Sequence, residues 1–194
     1  MIYCEAIPEP KDFYAKATEP GGRWLAKNPF PKRPKDCWSP FKPQLADGFR
    51  NLCAYSAMYE PVGTVDHFLS CGLAETRHLA YQWDNLRFAA PWLNSSKQNA
   101  DDKILDPFDV EDGWFEIQLP SLQLVVTDKV PISLRAKAHY TIEQLHLVDD
   151  ERVVRQRRAW YQMYEAGHIK LAGLERVAPL IARAVRKQEA HNGK

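Results

Sequence analysis

The sequence predicts an α+β fold, and three observations carry that expectation. A short segment with β-branched and aromatic residues, GTVDHF (63–68), and a second short apolar run, NLRFAA (85–90), flank a long loop and read as the two strands of a hairpin-like pair. The polar stretch LNSSKQNADDK (93–103) after Pro91 offers Asn94 or Ser95 as a helix N-cap, because their side-chain oxygens can accept from the first free backbone N–H groups. From Thr141 onward, apolar residues return near helical spacing, so strands give way to helices.

The remaining elements follow in chain order. Residues 1–47 are proline-rich and aromatic, with turn signals at Glu19-Pro20-Gly21-Gly22 and in the Pro-Lys alternation from Asn28 to Lys35. They read as an irregular arm that docks on the core through Trp24, Trp38 and Phe41. Residues 48–110 form the expected core, opening on the mixed apolar run FRNLCAYSAM. Residues 111–194 carry one or two strands in GWFEIQLPSLQLVVTDKV (113–130), interrupted at Pro120. A helix then runs from Thr141 to Gly167, and a last one covers LERVAPLIARAVRK, where Pro179 marks a start or a kink.

A chain of 194 residues with 45% hydrophobic and 26% charged residues is long enough for one well-filled core. The formal net charge of +1 supplies no global field for a polyanion, so attraction to nucleic acid must come from local clusters. Three are present: KNPFPKRPK (27–35), RVVRQRR (152–158), and the tail group Arg183, Arg186 and Lys187. Each alone reads first as a solvated face. The four cysteines form no C-x-x-C pair, and no window approaches the roughly 20 apolar residues of a spanning helix, so a cytoplasmic protein with reduced thiols and no membrane partner is expected.

Asp66 and His67 are adjacent at the end of the first strand. Neighbouring residues in a regular strand point to opposite faces, but at a fraying end both could address one site. Asn85 opens the second strand, and Asn94 with Lys97 begins the helix. An acid, an imidazole, two amides and a cation therefore meet where three elements join. Phosphodiester hydrolysis needs such a set: a neutral imidazole to take a proton from water near pH 7, a group to fix its tautomer, and oxygen donors for a hard cation.

The run VDHFLSCGLAETRHLAYQWDNLRFAAPWLNSSKQNADDKILDP resembles the HNH endonucleases, with upstream and downstream similarity extending it over roughly residues 38–158. The resemblance implies a ββα-metal (HNH) core. It is nearest to a branch that includes nuclease subunits of prokaryotic anti-phage systems such as Septu and related retrons, where an ATPase is the partner. On that resemblance His67 matches the general base, Asp66 and Asn94 the ligands of one Mg²⁺ or Mn²⁺, and Asn85 the residue that orients the base. Lys97 takes the place of a phosphate-contacting lysine. The resemblance further implies a nucleic-acid substrate, DNA ahead of RNA, cut to leave 5′-phosphate and 3′-hydroxyl ends. Arg152, Arg155, Arg157 and Arg158 are expected to flank the cleft and bind nucleic-acid backbone.

The chain departs from the family at several positions. Where many relatives carry two zinc-binding C-x-x-C pairs, it reads Cys53-Ala54-Tyr55-Ser56 and Ala90-Pro91-Trp92-Leu93, so no structural zinc is expected and Trp92 and Leu93 should fill the space. Ser70-Cys71 replaces a common proline, Asn94 is an amide where histidine is usual, and His78 matches no motif position. The rival expectation is a degenerate HNH fold kept as a binding or assembly subunit. A basic reader without chemistry is the third.

Overall fold

The computed structural model describes residues 1–29, 31, 33–72 and 74–192. Helix outweighs strand, 48% against 10%, and the strands are confined to two small hairpins, which agrees with the α+β class.

The N-terminal arm is more ordered than its sequence suggests. A π-helical turn over Tyr14–Thr18 runs directly into α1 (Glu19–Lys27). Pro20 lies in the first turn of α1, where a missing N–H is best tolerated and the fixed φ suits the helix. Gly21 is buried against the Tyr81 ring, so closely that a Cβ there would overlap it. The Pro-Gly-Gly signal thus marks a helix start and a close contact, not a turn. α2 (Lys42–Gly48) follows a 3₁₀ turn, again with proline at its start. Phe13, Phe41, Leu45 and Phe49 pack with Trp83, Leu86 and Phe88, and Phe13 meets Phe41 and Trp83 edge-on at 4.9 and 5.0 Å. Burial of each such side chain contributes about 1.5–3 kcal/mol, which fastens the arm to the core.

β1 (Thr64–His67) and β2 (Leu86–Ala89) pair antiparallel, with Asp66 opposite Arg87 and His67 opposite Leu86. α3 (Pro91–Lys97) follows directly, giving the expected strand–strand–helix order. The helix begins at Pro91, ahead of the expected cap, so Asn94 and Ser95 lie inside it. The Ser95 and Ser96 hydroxyls bond back to the carbonyls of Pro91 and Trp92. The long loop 68–85 is not a strand continuation: the alternating Leu79, Tyr81 and Trp83 fall in two 3₁₀ turns, Arg77–Tyr81 and Trp83–Asn85. All four β2 residues are buried because the hairpin is covered on both sides, Leu86 and Phe88 facing the arm cluster and Ala89 the larger core.

β3 (Phe115–Gln118) and β4 (Gln123–Val126) form the second antiparallel hairpin, broken around Pro120 as the sequence indicates. The single helix expected over 141–167 is two: α4 (Ile132–Gln144) begins earlier, and the chain turns at His146 (φ 52°) before α5 (Glu151–Glu165). Asp150 enforces the restart by accepting from the Arg152 N–H at 2.9 Å as N-cap. Gly167, at φ 73°, lies just beyond α5 as a left-handed terminator should. α6 (Leu171–Val177) and α7 (Pro179–Asn192) complete the fold, with Pro179 as the start of α7 and not a kink within a longer helix.

Candidate active site

β1 stays regular through its last residue, and Phe68 N–H extends the ladder to the Asn85 carbonyl at 2.8 Å. Asp66 and His67 therefore leave the strand on opposite faces of the hairpin, where a frayed end would have let both leave on one. The α3 side receives Asp66, which is 3% exposed. Its Oδ2 accepts from the Tyr55 hydroxyl at 2.5 Å and its Oδ1 faces Lys97 Nζ at 3.1 Å. Lys97 is 1% exposed and also donates to the His67 carbonyl at 2.7 Å. Burial, reinforced by the Asp66 charge, pushes the Tyr55 hydroxyl well above its ordinary range, so it remains a donor.

His67 lies on the arm side, half-buried, with the Trp38 ring edge-on at 4.5 Å between centroids. Its Nε2 is 3.1 Å from the Ala80 carbonyl oxygen. A carbonyl can only accept, so Nε2 carries the proton and Nδ1 keeps the lone pair. Burial is the largest influence on the imidazole and lowers its pKa below 6.5, against the opposing pull of the Ala80 carbonyl and Asp66. The ring is neutral near pH 7 and its tautomer is set, two of the properties a general base needs.

Asn85 does not touch the imidazole. Its Oδ1 accepts from Leu69 N–H at 2.8 Å, and its Nδ2 donates to the carbonyls of Leu69 and Leu79 at 3.0 and 3.2 Å. The residue after Leu79 supplies the carbonyl that fixes His67, so Asn85 acts one peptide unit away by holding the loop that presents it. Asn94 is half-buried in α3, with Nδ2 3.4 Å from the Val65 carbonyl, on the same side of β1 as Asp66. Lys97, expected at a phosphate, is instead the counter-charge of Asp66: three residues beyond Asn94 it shares the helix face turned to β1.

The arginines of α5 divide in the same way. Arg157 is 1% exposed and donates to the carbonyls of Leu122, Leu147 and Val148, so it is a core tie and not a nucleic-acid contact. Its spacing of four from the buried Val153 places it on the inward face. Arg152 pairs with Asp150 and lies 4.6 Å from the Trp92 ring, which brings the start of α5 against α3. Arg155 pairs with Glu151, and Arg158 is exposed. His78 is exposed in a 3₁₀ turn and takes no part in the site. Of the first cationic cluster, Phe30 and Lys32 lie outside the described residues.

Sequence reasoning missed Tyr55, the Ala80 carbonyl and the Trp38 contact. Only Tyr55 left a signal, a polar-tipped aromatic in the buried run that follows Cys53. Cys53 Sγ accepts from the Ala90 N–H at 3.3 Å, and Leu93 is fully buried in the same core cluster. Among the described residues no group of three or more His, Cys, Asp or Glu side chains is arranged to hold a metal. A separate cleft of about 750 Å³ lies between β3 and α7, lined by Ile117, Val125, Arg183 and Lys187 among others, and shares no residue with the Asp66–His67 site. Comparison with family models, with curated proteins and with solved structures finds no match to this chain.

Proposed function

We propose that the chain is an endonuclease of the HNH kind, hydrolysing phosphodiester bonds of nucleic acid, DNA ahead of RNA, at the end of β1. The observation that supports it most is His67, a neutral imidazole held in one tautomer by the Ala80 carbonyl, with a buried carboxylate on the next residue. His67 Nδ1 takes the proton of the attacking water. Trp38 and the Ala80 carbonyl keep the ring from rotating, and Asn85 keeps that carbonyl in place.

The donors suit one Mg²⁺ or Mn²⁺. Asp66 offers a carboxylate and Asn94 an amide from adjacent elements, and Oδ1 of Asp66 already faces a cation in the form of the Lys97 ammonium. Asp66 and Asn94 would be the residues that hold such an ion, which would offset charge on the phosphate and the departing oxygen. Arg152, over the Trp92 ring of α3, supplies backbone attraction at the rim, and the exposed Arg158 adds charge to the same helix. By the same resemblance the protein works in the cytoplasm as the effector of an anti-phage system beside an ATPase. No helix among the described residues is long and apolar enough to cross a membrane.

Plasmid and oligonucleotide cleavage with Mg²⁺ or Mn²⁺ tests the reading: His67→Ala should lower turnover by about 10²–10⁴-fold. Equal cutting by both proteins removes His67 from catalysis. One observation favours a second reading, that of a non-cutting assembly subunit on the same scaffold. Both oxygens of Asp66 are already engaged, by Tyr55 and Lys97. On that reading purified wild-type protein binds nucleic acid but never cleaves it.

A further inference from the structure

We infer that the cleft between β3 and α7 is a second binding site, for a small organic anion with an apolar body. It shares no residue with the Asp66–His67 site and does not depend on the nuclease reading. Its volume of about 750 Å³ falls within the range of small-molecule pockets, roughly 300–1,000 Å³. The concavity has a cause in the sequence. α7 turns Leu180, Arg183, Ala184, Lys187 and Gln188 toward the hairpin at helical spacing, and Ala184 is the small residue in the middle of that stripe. Across from it β4 offers Val125, and Leu119 comes from the turn between the strands. Leu119, Val125 and Ala184 are only half-buried, so the fold leaves apolar surface uncovered inside a concave wall.

The charges decide the sign of the ligand. The wall carries Lys129, Arg183 and Lys187 against Asp112 and Glu116. Both carboxylates already have a cation: Asp112 meets Arg183 at 2.7 Å, and Glu116 meets Lys187 at 2.7 Å. Lys129 has no ion pair among the described residues. Its side chain lies over Gly113, where φ is 90° and a Cβ would come within 2.9 Å of Nζ. The glycine thus leaves room for the ammonium next to Asp112, at the end of the cleft where Arg183 also arrives. Two cations against one carboxylate make a net positive corner. Arg183 spends one N–H on Asp112 and keeps further donors for a second acceptor. An anionic group fits that corner, and its apolar body then lies along Val125 and Ala184. A cationic ligand would find both acids already neutralised and Lys129 repelling it.

Fluorescence titration with anilinonaphthalene sulfonate, and with its uncharged analogue phenylnaphthylamine, tests the site on the full chain. Wild type should bind the sulfonate saturably, and the analogue at least about 10-fold more weakly, since a hydrogen bond to a charged group is worth about that factor. Lys129→Glu should weaken the sulfonate by about 10-fold or more and leave the analogue unchanged. Ala184→Phe, which fills the cleft and keeps every charge, should weaken both. Ile132→Ser, which removes a side chain 85% exposed on α4, should change neither. Lys129 and Ile132 are exposed, so these two variants keep the test decisive even where Ala184→Phe fails to fold. Equal sulfonate binding by wild type and Lys129→Glu, loss of binding in Ile132→Ser, or no saturable binding at all overturns the proposal. So does a wild-type dimer in sedimentation that Ala184→Phe dissociates, because a second copy of the chain would then fill the cleft.

Discussion

The two hairpins have the same length of strand and opposite chemistry. β3–β4 buries Phe115, Ile117 and Leu124, and its charged residues reach outward: Glu116 pairs with Lys187 of α7 with both side chains substantially exposed. The β1–β2–α3 unit buries Asp66, Asn85, Arg87 and Lys97, four of the seven buried polar or charged side chains among the described residues. Burying charge is unfavourable unless every group is paired, and an apolar replacement of similar shape is often as stable. The second hairpin shows that this fold can build a hairpin without buried charge. The concentration of buried charge in the first is therefore not a requirement of hairpin packing, which fits a unit that keeps its polar groups for chemistry.

The difference can be broken by substitution, and the largest effect belongs to the buried pair. Lys97→Met, measured by urea unfolding in EDTA, should lose about 3–5 kcal/mol, since it strands a buried carboxylate. Tyr55→Phe should lose less, about 1.5–3 kcal/mol, the usual worth of a hydrogen bond to a charged group. On the second hairpin, Lys187→Met should change stability by about 0–1 kcal/mol, because its pair with Glu116 is exposed. Similar losses for Lys97→Met and Lys187→Met would erase the contrast between the hairpins.

Acid sharpens the contrast from the other face of β1. The folded His67 pKa lies below its ordinary 6.5, chiefly through burial, with the Ala80 carbonyl, Asp66 and Asp36 opposing and Lys97 assisting. Below pH 6.5 the unfolded chain therefore binds a proton that the folded chain refuses. This group's stabilisation is fully present above pH 6.5 and is lost as pH falls toward the folded pKa. Thermal midpoints recorded down through pH 6.5 should fall in wild type and fall less steeply in His67→Gln. Parallel curves would mean that the imidazole is not held neutral.

Much of this unit was legible in the sequence, because its signals are local. A β-branched run gave β1, a short apolar run gave β2, the helix after them was expected but with its start set at Asn94 or Ser95 and not at Pro91, and the break at Pro120 separated β3 from β4. The site's polar residue types were legible for the same reason, but their partners were not. Lys97 looks like a phosphate contact until its register on α3 places it against Asp66. Arg157 looks like part of a basic patch until the Val153 spacing turns it inward. The tautomer-setting group is a backbone carbonyl, which no residue type can announce. The arm was misjudged for a related reason: Pro20-Gly21-Gly22 is turn-like in isolation, and only the Tyr81 ring explains why Gly21 belongs in a helix.

On the proposed function labour divides across β1, with Asp66 serving a cation on the α3 side and His67 a proton on the arm side. Calorimetric Mn²⁺ titration, run beside DNA cleavage on His67→Ala and Asp66→Asn, tests it most directly. His67→Ala should retain wild-type Mn²⁺ affinity while losing cleavage by about 10²–10⁴-fold. Asp66→Asn should lose Mn²⁺ binding. If His67→Ala loses Mn²⁺ binding as completely as Asp66→Asn does, the imidazole is a ligand, and the division of roles across the strand is wrong.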